Sequence, residues 1–543
     1  MEYNSSNRSV LRKNFSKIKS TEPIPDLMEV QKSSYNSFLQ YNVSKDKREN
    51  IGIENVLKSI FPIYSNNGAF ILDYVDYFFE TPRYSVVECK NIGASYSAAL
   101  KVKIRLTTNE VNHDTGDVSV IDVKEQEVFF AEVPLMVNSG VFVINGTERV
   151  VVSQIHRAPG VFFGGVKGQY TSSGKQIYSA NIIPKRGSWL DVEFDSKDIL
   201  HIKIDKRKKL LASVLLKCLY SKKKELLEEA EEAKSSDADV VRMSNQEILA
   251  TFYNKIHCNK KSNGWVLDFA LELFQGKKLS YDLINAETGE VVLSAGSNVS
   301  KSAVRKIENA KLKKITISDN ELLESHFAED ILDQNGKVLF KAGETITAEV
   351  LEKLEKSGIA SFSILAIDNV NVGSYILNTL KQDKGLNNKK ALKEIYKSVK
   401  GAEPPSVEIA EDFFDKLFFD PDRYDLSEVG RVKINERLGI DEPLDLTVLT
   451  KKDIIEIIKN LIKIRDGKDT VDDIDHLSNR RVRSVGELLE TEVRIALVRI
   501  QRSAIDKMNS LSDGIMPNDV INTRPLQAAF KEFFGVSQLS QFM

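Results

Sequence analysis

The chain has 543 residues, 28% of them charged, and a formal net charge of −2, which describes a soluble, nearly neutral protein of roughly three or four domains at about 150 residues each. That balance excludes a uniformly basic nucleic-acid binder, so any such role requires a local basic surface. No apolar run approaches the ~18 residues of a membrane span and the N-terminal MEYNSSNRSVLRKNFSK has no apolar signal core, so a cytoplasmic location is expected. The scattered Cys89, Cys218 and Cys258 exclude a disulfide framework and a paired-cysteine metal site.

Residues 1–26 are polar and basic, end in Pro23-Ile24-Pro25, and read as an arm or flexible leader. Asp26 is placed to cap a helix from Leu27 to Tyr41, with Leu27, Val30, Tyr35, Phe38 and Leu39 near helical spacing. From Gly52 to Glu132 the pattern is that of strands. Phe70–Phe79 is aromatic and alternating, and Leu100–Leu106 keeps a strict period of two, as a half-buried antiparallel sheet requires. Val141–Ile144, then Asn145-Gly146, then Thr147–Gln154 is the signature of a type I′ hairpin. After it, Ser153, Gln154, His156 and Arg157 set polar groups among apolar ones, and Pro159-Gly160 breaks the pattern. Such groups serve either to satisfy backbone at a domain corner or to meet a ligand.

Gly164–Lys175 is rich in glycine and hydroxyls, and its Ser173-Gly174-Lys175 resembles the end of a phosphate-binding loop. The spacing rejects that reading. Gln169 stands where the first glycine is required and Gln176 where the metal-binding hydroxyl would be, so a mobile surface hairpin is expected. Next, Ile182–Phe194 carries Trp189, by itself a core aromatic. From about Lys222 to Asp368 the composition shifts. Glu225–Ala233 is a charged helical run, and an internal duplication follows. Gly289–Gly296 with Ser300–Ala310 parallels Gly336–Gly343 with Thr347–Gly358 at an offset of 47 residues, pairing Val291 with Val338 and Ile307 with Leu354. Each copy reads as a strand hairpin and a helix around a small shared core.

Toward the end, Asp472, Asp473 and Asp475 invite a magnesium site. Adjacent positions 472 and 473 cannot both face one ion easily, and Arg480, Arg481 and Arg483 compete for the carboxylates. A helix is expected from Val485 to Met508, with Arg494, Arg499 and Arg502 at helical intervals among apolar residues. The preceding arginine loop is better suited to phosphates and base faces. Taken together these elements predict an α+β, multidomain chain of mixed antiparallel sheets with helices.

Several long strings carry a resemblance. They are VFVINGTERVVVSQIHRAPGVFF (141–163), Asn91–Lys103, Lys124–Val128, Asp412–Gly430 after Pro404-Pro405, Val471–Glu487 and Phe533–Met543. Together they resemble the β subunit of bacterial multisubunit RNA polymerase over essentially the whole chain, most weakly over the duplicated region. The resemblance implies an arm (1–26), a discontinuous protrusion (27–145 and 485–543), a lobe (146–221 and 369–484) and a lobe insert (222–368). It implies one side of a DNA cleft that contacts downstream DNA, the non-template strand and the nascent RNA path. The assembly would hold β′, α and ω subunits, σ factor, DNA and RNA, with the catalytic magnesium in β′ and no catalytic residue or cofactor in this chain. The phosphoryl chemistry would be that of a nucleotidyltransferase to which the chain contributes as a subunit.

By the same resemblance, Arg157, Trp189, Ile474, Asp475 and Arg480 match a pocket for the unpaired non-template strand, where Trp189 becomes a base-stacking platform. Arg149, Val152, Gln154, Leu539, Ser540, Gln541 and Phe542 match walls of the rifamycin-binding pocket along the RNA path. Two departures stand out. Val536 replaces the family's usual serine, which is expected to alter local packing, and Lys400-Gly401-Ala402 replaces Arg-Pro-Gly. The stop at Met543, inside a motif, suggests a fragment. Two competing classes are a stand-alone protein-interaction module and, last, an independent nucleotide-using enzyme.

Overall fold

The computed structural model describes residues 26–542 except 42, 112–117, 171–173, 175, 222–241, 262–263, 311, 334–335, 384 and 511–514. The expected arm before residue 26, the Glu225–Ala233 run and the tip of the Gly164–Lys175 hairpin therefore lie outside the described residues. The chain divides into two compact units, one from 26–156 with 481–542 and the other from 157–480. Both mix helices with antiparallel sheets.

The first unit is built on a four-stranded sheet of Ile63–Tyr64, Phe70–Phe79, Ser97–Val111 and Val118–Pro134, in sequence order. The period of two does what a half-buried strand demands. Ala98, Leu100, Val102, Ile104 and Leu106 are buried, while Lys103 and Arg105 point outward and share Glu125 across the strand pair. The buried side faces helices from both ends of the unit, so Tyr35, Val56, Leu57, Phe130, Leu497, Ile500, Phe530 and Phe534 belong to one core. Segments more than 300 residues apart in sequence are held together by burial of that shared apolar surface.

Three expectations change here, and the hairpin turn holds. The first helix runs Glu29–Leu39 rather than from Leu27, although Asp26 Oδ1 still accepts the Met28 N–H at 2.9 Å. Leu27 is 91% exposed, and Val30 is exposed as well, because the helix turns only its Tyr35, Phe38 and Leu39 side inward. The region Gly52–Glu132 is not all strand, since Gly52–Ile60 and Val86–Ile92 are helices. The latter begins in a Ser85/Glu88 capping box that satisfies two orphan N–H groups. At the hairpin, Asn145 and Gly146 have φ of 50° and 79°, and Ile144 pairs with Thr147, which is the type I′ turn. A glycine meets the second positive φ without the penalty a Cβ brings.

The second unit centres on an antiparallel sheet ordered Leu210–Leu211, Leu200–Ile204, Leu190–Phe194, Gln176–Ile183, Gly160–Tyr170. Helices Ala212–Cys218, Asn388–Lys400, Val407–Phe418, Ser427–Leu438 and Lys451–Arg465 contribute Leu215, Leu392, Phe414, Ile434 and Ile458 to its core. Inside this cover Arg431 and Asp453 are both 0% exposed. Arg431 Nη1 meets both Asp453 oxygens at 2.9 Å, and its remaining donors reach the Leu446 and Val448 carbonyls. Asp453 in turn accepts the Thr450 N–H at 2.8 Å. Two buried charges survive there because each polar atom is answered.

The duplication forms a third core within this unit. Helices Lys301–Asn309 and Ala348–Lys356 start 47 residues apart, at 301 and 348. So do the strands that follow them, Lys314–Ile317 and Ser361–Leu365, at 314 and 361. The repeat is therefore one strand longer than the expected hairpin and helix. Strands Lys255–Lys261 and Gly264–Asp268 form a central hairpin, the first pairing with Ser361–Leu365 and the second with Lys314–Ile317. Ile307 and Leu354 are both buried in the shared core. Val291 and Val338 match in position but are exposed, so that pair reflects the strand's outer side.

Asp453→Ala leaves a buried guanidinium unpaired and is expected to cost about 3–5 kcal/mol. Removing the exposed Lys397–Glu403 pair is expected to cost under ~1 kcal/mol. Denaturant midpoints of the two variants, read on the full chain, check the difference.

Candidate nucleic-acid interface

In the second unit, Gly160–Tyr170 is the edge strand, so one row of its main-chain groups needs partners outside the sheet. At Phe163 the partner is Asp472. The Phe163 N–H donates to Asp472 Oδ2 at 2.8 Å, and the Asp472 N–H donates to the Phe163 carbonyl at 2.8 Å. The other carboxylate oxygen, Oδ1, takes Arg437 Nε at 2.9 Å. Arg437 also reaches Asp469 Oδ2 at 2.9 Å and the Thr470 carbonyl at 2.8 Å, with its guanidinium 4.8 Å from the Phe163 ring centroid. One helical turn earlier, Lys433 Nζ donates to the Ser478 carbonyl at 2.6 Å and to Asn479 Oδ1 at 3.3 Å. Asn479 Nδ2 donates to the Asp473 carbonyl at 2.7 Å, and the Asn479 carbonyl accepts the Ala158 N–H at 3.0 Å. The irregular segment 469–480 is thus tied at both ends to one helix and one strand.

Between those ties lie Ile474 and Asp475. Ile474 rests against Gly164, where any Cβ would stand 3.1 Å from Ile474 Cδ1, so the side chain sits this close because position 164 is glycine. Asp475 is 74% exposed and has one oxygen, Oδ1, 3.1 Å from Arg480 Nη2. Trp189 packs on Ala158, Phe162 and Ile183. Its main-chain N–H donates to Asp205 Oδ1 at 2.8 Å, and the Lys206 ammonium lies 4.9 Å from the indole ring centroid. Arg157 is exposed next to Ala158. All five residues of the first expected constellation therefore stand around the start of a single strand. Burial pushes the Lys433 ammonium below its ordinary range. Burial also opposes the charge of Asp469, yet the Arg437 hydrogen bond and the Thr470 N–H hold that carboxyl below its ordinary value.

The arginine cluster divides differently from expectation. Arg480–Arg483 is a short strand, not a loop. Arg481 makes two 2.6 Å bonds to Glu487, and Arg483 donates to Thr491 Oγ1 at 2.7 Å. Both are committed to the start of helix Val485–Ser510 rather than held open for phosphates. The guanidinium that binds Asp472 is that of Arg437, which sequence reasoning missed. Lys433 and Arg437, four apart in VKINERLG, were the available signal. Among the described residues no group of three His, Cys, Asp or Glu side chains is placed to hold a metal ion.

The second constellation lies in the first unit. Ser540–Phe542 adds a third strand to the Asn145-Gly146 hairpin, with Ser540, Gln541 and Phe542 opposite Val151, Val150 and Arg149. The Val152 N–H extends the ladder to the Leu539 carbonyl at 2.8 Å. Arg149 Nη1 donates to the Phe534 and Gly535 carbonyls, each at 2.9 Å, at the end of helix Arg524–Gly535. A cation there answers orphan carbonyls and the negative end of the helix dipole. The same guanidinium lies 4.2 Å from the Phe542 ring centroid. Val152, Gln541 and Phe542 are exposed, Ser540 is buried, and Leu539 packs against the core. Gln154 is exposed on the next strand, Gln154–Arg157, outside this three-stranded sheet. Val536, the departure from the family's usual serine, is 81% exposed.

Residues 338–483 match the family model described as RNA polymerase Rpb2, domain 2. The chain is 45% identical over 98% of its length to the DNA-directed RNA polymerase subunit beta of Myxococcus xanthus, covering 37% of that relative. It is 44% identical over 100% of its length to the same subunit of Syntrophotalea carbinolica, covering 38%. With that of Caulobacter vibrioides it shares 43% identity over 98% of its length, again covering 38%. The chain thus spans less than two fifths of these relatives, in their N-terminal part.

Arg149→Met removes both bonds to the helix end, each a charge-assisted bond of about 1.5–3 kcal/mol. Amide exchange at Val152 and Ser540–Phe542 is expected to accelerate while exchange in Phe70–Phe79 holds. Hydrogen-exchange mass spectrometry on the full chain checks this.

Proposed function

We propose that this chain, a homologue over 98% of its length of the N-terminal part of bacterial RNA polymerase β subunits, serves transcription as one side of the polymerase DNA cleft. It would act within a nucleotidyltransferase completed by the rest of β and by β′, α and ω, with σ factor at initiation. The catalytic magnesium belongs to β′ in this reading, and the chain's own work is to hold nucleic acid. No described helix is long and apolar enough to cross a membrane, and cytoplasmic DNA is the proposed setting.

The observation that carries the reading is the gathering of Arg157, Trp189, Ile474, Asp475 and Arg480 around the clasped edge strand. Each has chemistry that suits an unpaired base. The Trp189 indole offers a stacking surface that tolerates any base. Asp475, exposed and with one oxygen toward Arg480, can accept the N–H donors on a guanine Watson–Crick edge. Arg157 and Arg480 supply charge for flanking phosphates. The assigned strand is the non-template strand near the melted start site, and duplex downstream of it is the neighbouring ligand. In the other unit, the exposed Val152, Gln154, Gln541 and Phe542 with Arg149, Leu539 and Ser540 form the proposed wall of the nascent-RNA path and of the rifamycin pocket that the sequence resemblance implies.

Trp189→Ala is expected to weaken binding of a pre-melted DNA bubble by about 1–3 kcal/mol, measured by fluorescence anisotropy of the labelled bubble. An unchanged affinity removes Trp189 from the site. Affinity is also expected to fall steeply with salt as phosphate contacts release counterions. Salt-insensitive or absent binding would turn the reading toward a protein-interaction module.

A further inference from the structure

Resting on the strand-binding reading above, we propose that Lys433 and Arg437 are positioning residues for base selection: they touch no base but set where Ile474, Asp475 and Arg480 stand. The argument is one of constraint. Segment 469–480 is almost wholly irregular, with only the three-residue 3₁₀ turn Leu477–Asn479 before its end. An irregular segment of this length keeps one geometry only if its ends and middle are tied. Arg437 ties the first end through three separate acceptors, Asp469, Thr470 and Asp472. Asp472 is in turn bonded on both its N–H and its carboxylate to Phe163 of the edge strand. Lys433 ties the other end at Ser478 and Asn479, and Asn479 bonds Ala158, the neighbour of Arg157.

Both cations lie on helix Ser427–Leu438, whose Gly430, Arg431 and Ile434 are buried, so the ties start from a rigid element. Both also lie over aromatic rings of the edge strand, Lys433 at 5.5 Å from the Phe162 centroid and Arg437 at 4.8 Å from that of Phe163. Trp189 packs on that same Phe162. The platform for stacking and the carboxylate for edge recognition are thereby indexed to one helix face. A carboxylate selects guanine only within hydrogen-bond reach and angle of its edge, whereas stacking tolerates a displaced partner. Loss of the ties should therefore degrade selectivity more than affinity.

The test uses the full chain and two pre-melted bubbles that differ only in guanine or adenine at the unpaired non-template position. Wild type is expected to prefer guanine roughly 5- to 150-fold, the span of one good bidentate base contact. In Arg437→Gln the preference is expected to fall to within about threefold of unity, on the same scale, while the loss caused by Trp189→Ala persists in that background. Arg437→Lys keeps the charge but not the three-acceptor fork, and is expected to behave like Arg437→Gln. A preference kept in both, with a folded transition intact, overturns the proposal. If Arg437→Gln does not fold, Lys433→Gln releases the other end of the segment at Ser478 and Asn479, and a preference kept there overturns it equally. A wild type that binds the bubbles but prefers neither removes Asp475 as the reader of the base and the positioning role with it. Absence of any binding removes the strand-binding reading itself.

Discussion

An edge strand cannot leave its outer N–H and C=O groups buried and unanswered, and in the second unit that requirement falls on Gly160–Tyr170. Asp472 answers it at Phe163 with one side-chain and one main-chain bond. Because the carboxylate's second oxygen is held by Arg437, the same residue that closes the sheet edge fixes an irregular segment to a helix. Ile474 against Gly164, Asp475 toward Arg480, and Asn479 bonded to Ala158 all follow from where that clasp puts the chain. An aspartate that looks like a metal ligand in sequence is thus spent on backbone satisfaction.

The first unit solves a related problem by adding a strand. The Asn145-Gly146 hairpin exposes an edge, and Ser540–Phe542 covers it, so residues from opposite ends of the chain share one small sheet. Arg149 then serves twice, bonding the carbonyls at the end of helix Arg524–Gly535 and lying against the Phe542 ring. Gln154, on the next strand, keeps its side chain exposed. Within each unit the side chains proposed to meet nucleic acid sit beside ones that hold the backbone, which is how a surface of exposed groups keeps a defined shape.

The duplicated region illustrates how a repeat becomes one body. Each copy supplies a strand hairpin, a helix and a closing strand, and the two closing strands flank a single central hairpin. Neither copy could bury Ile307 or Leu354 alone; together, with the Trp265 ring, they fill one core. The extra strand in each copy escaped the sequence pattern because Lys314–Ile317 and Ser361–Leu365 are too short for periodicity to show.

Local signals carried much of the description. The period of two in Leu100–Leu106, the Asn145-Gly146 turn, the helix after Val485 and the 47-residue repeat were legible because each rests on neighbours in sequence, where φ, ψ and side-chain alternation are decided. Long composition-rich strings likewise disclosed the likeness to the relatives. What stayed hidden were the pairings made at a distance: that Arg481 and Arg483 belong to Glu487 and Thr491, that Arg437 rather than a neighbouring arginine holds Asp472, and that Leu27 and Val30 face water. A charged or apolar residue has the same composition whatever it meets, and its partner depends on which surfaces burial brings together. The sequence by itself therefore determined the strongly patterned elements, the repeat and the identity of the side chains around each site; only the tertiary structure decided which of them are free to act and which are already bound.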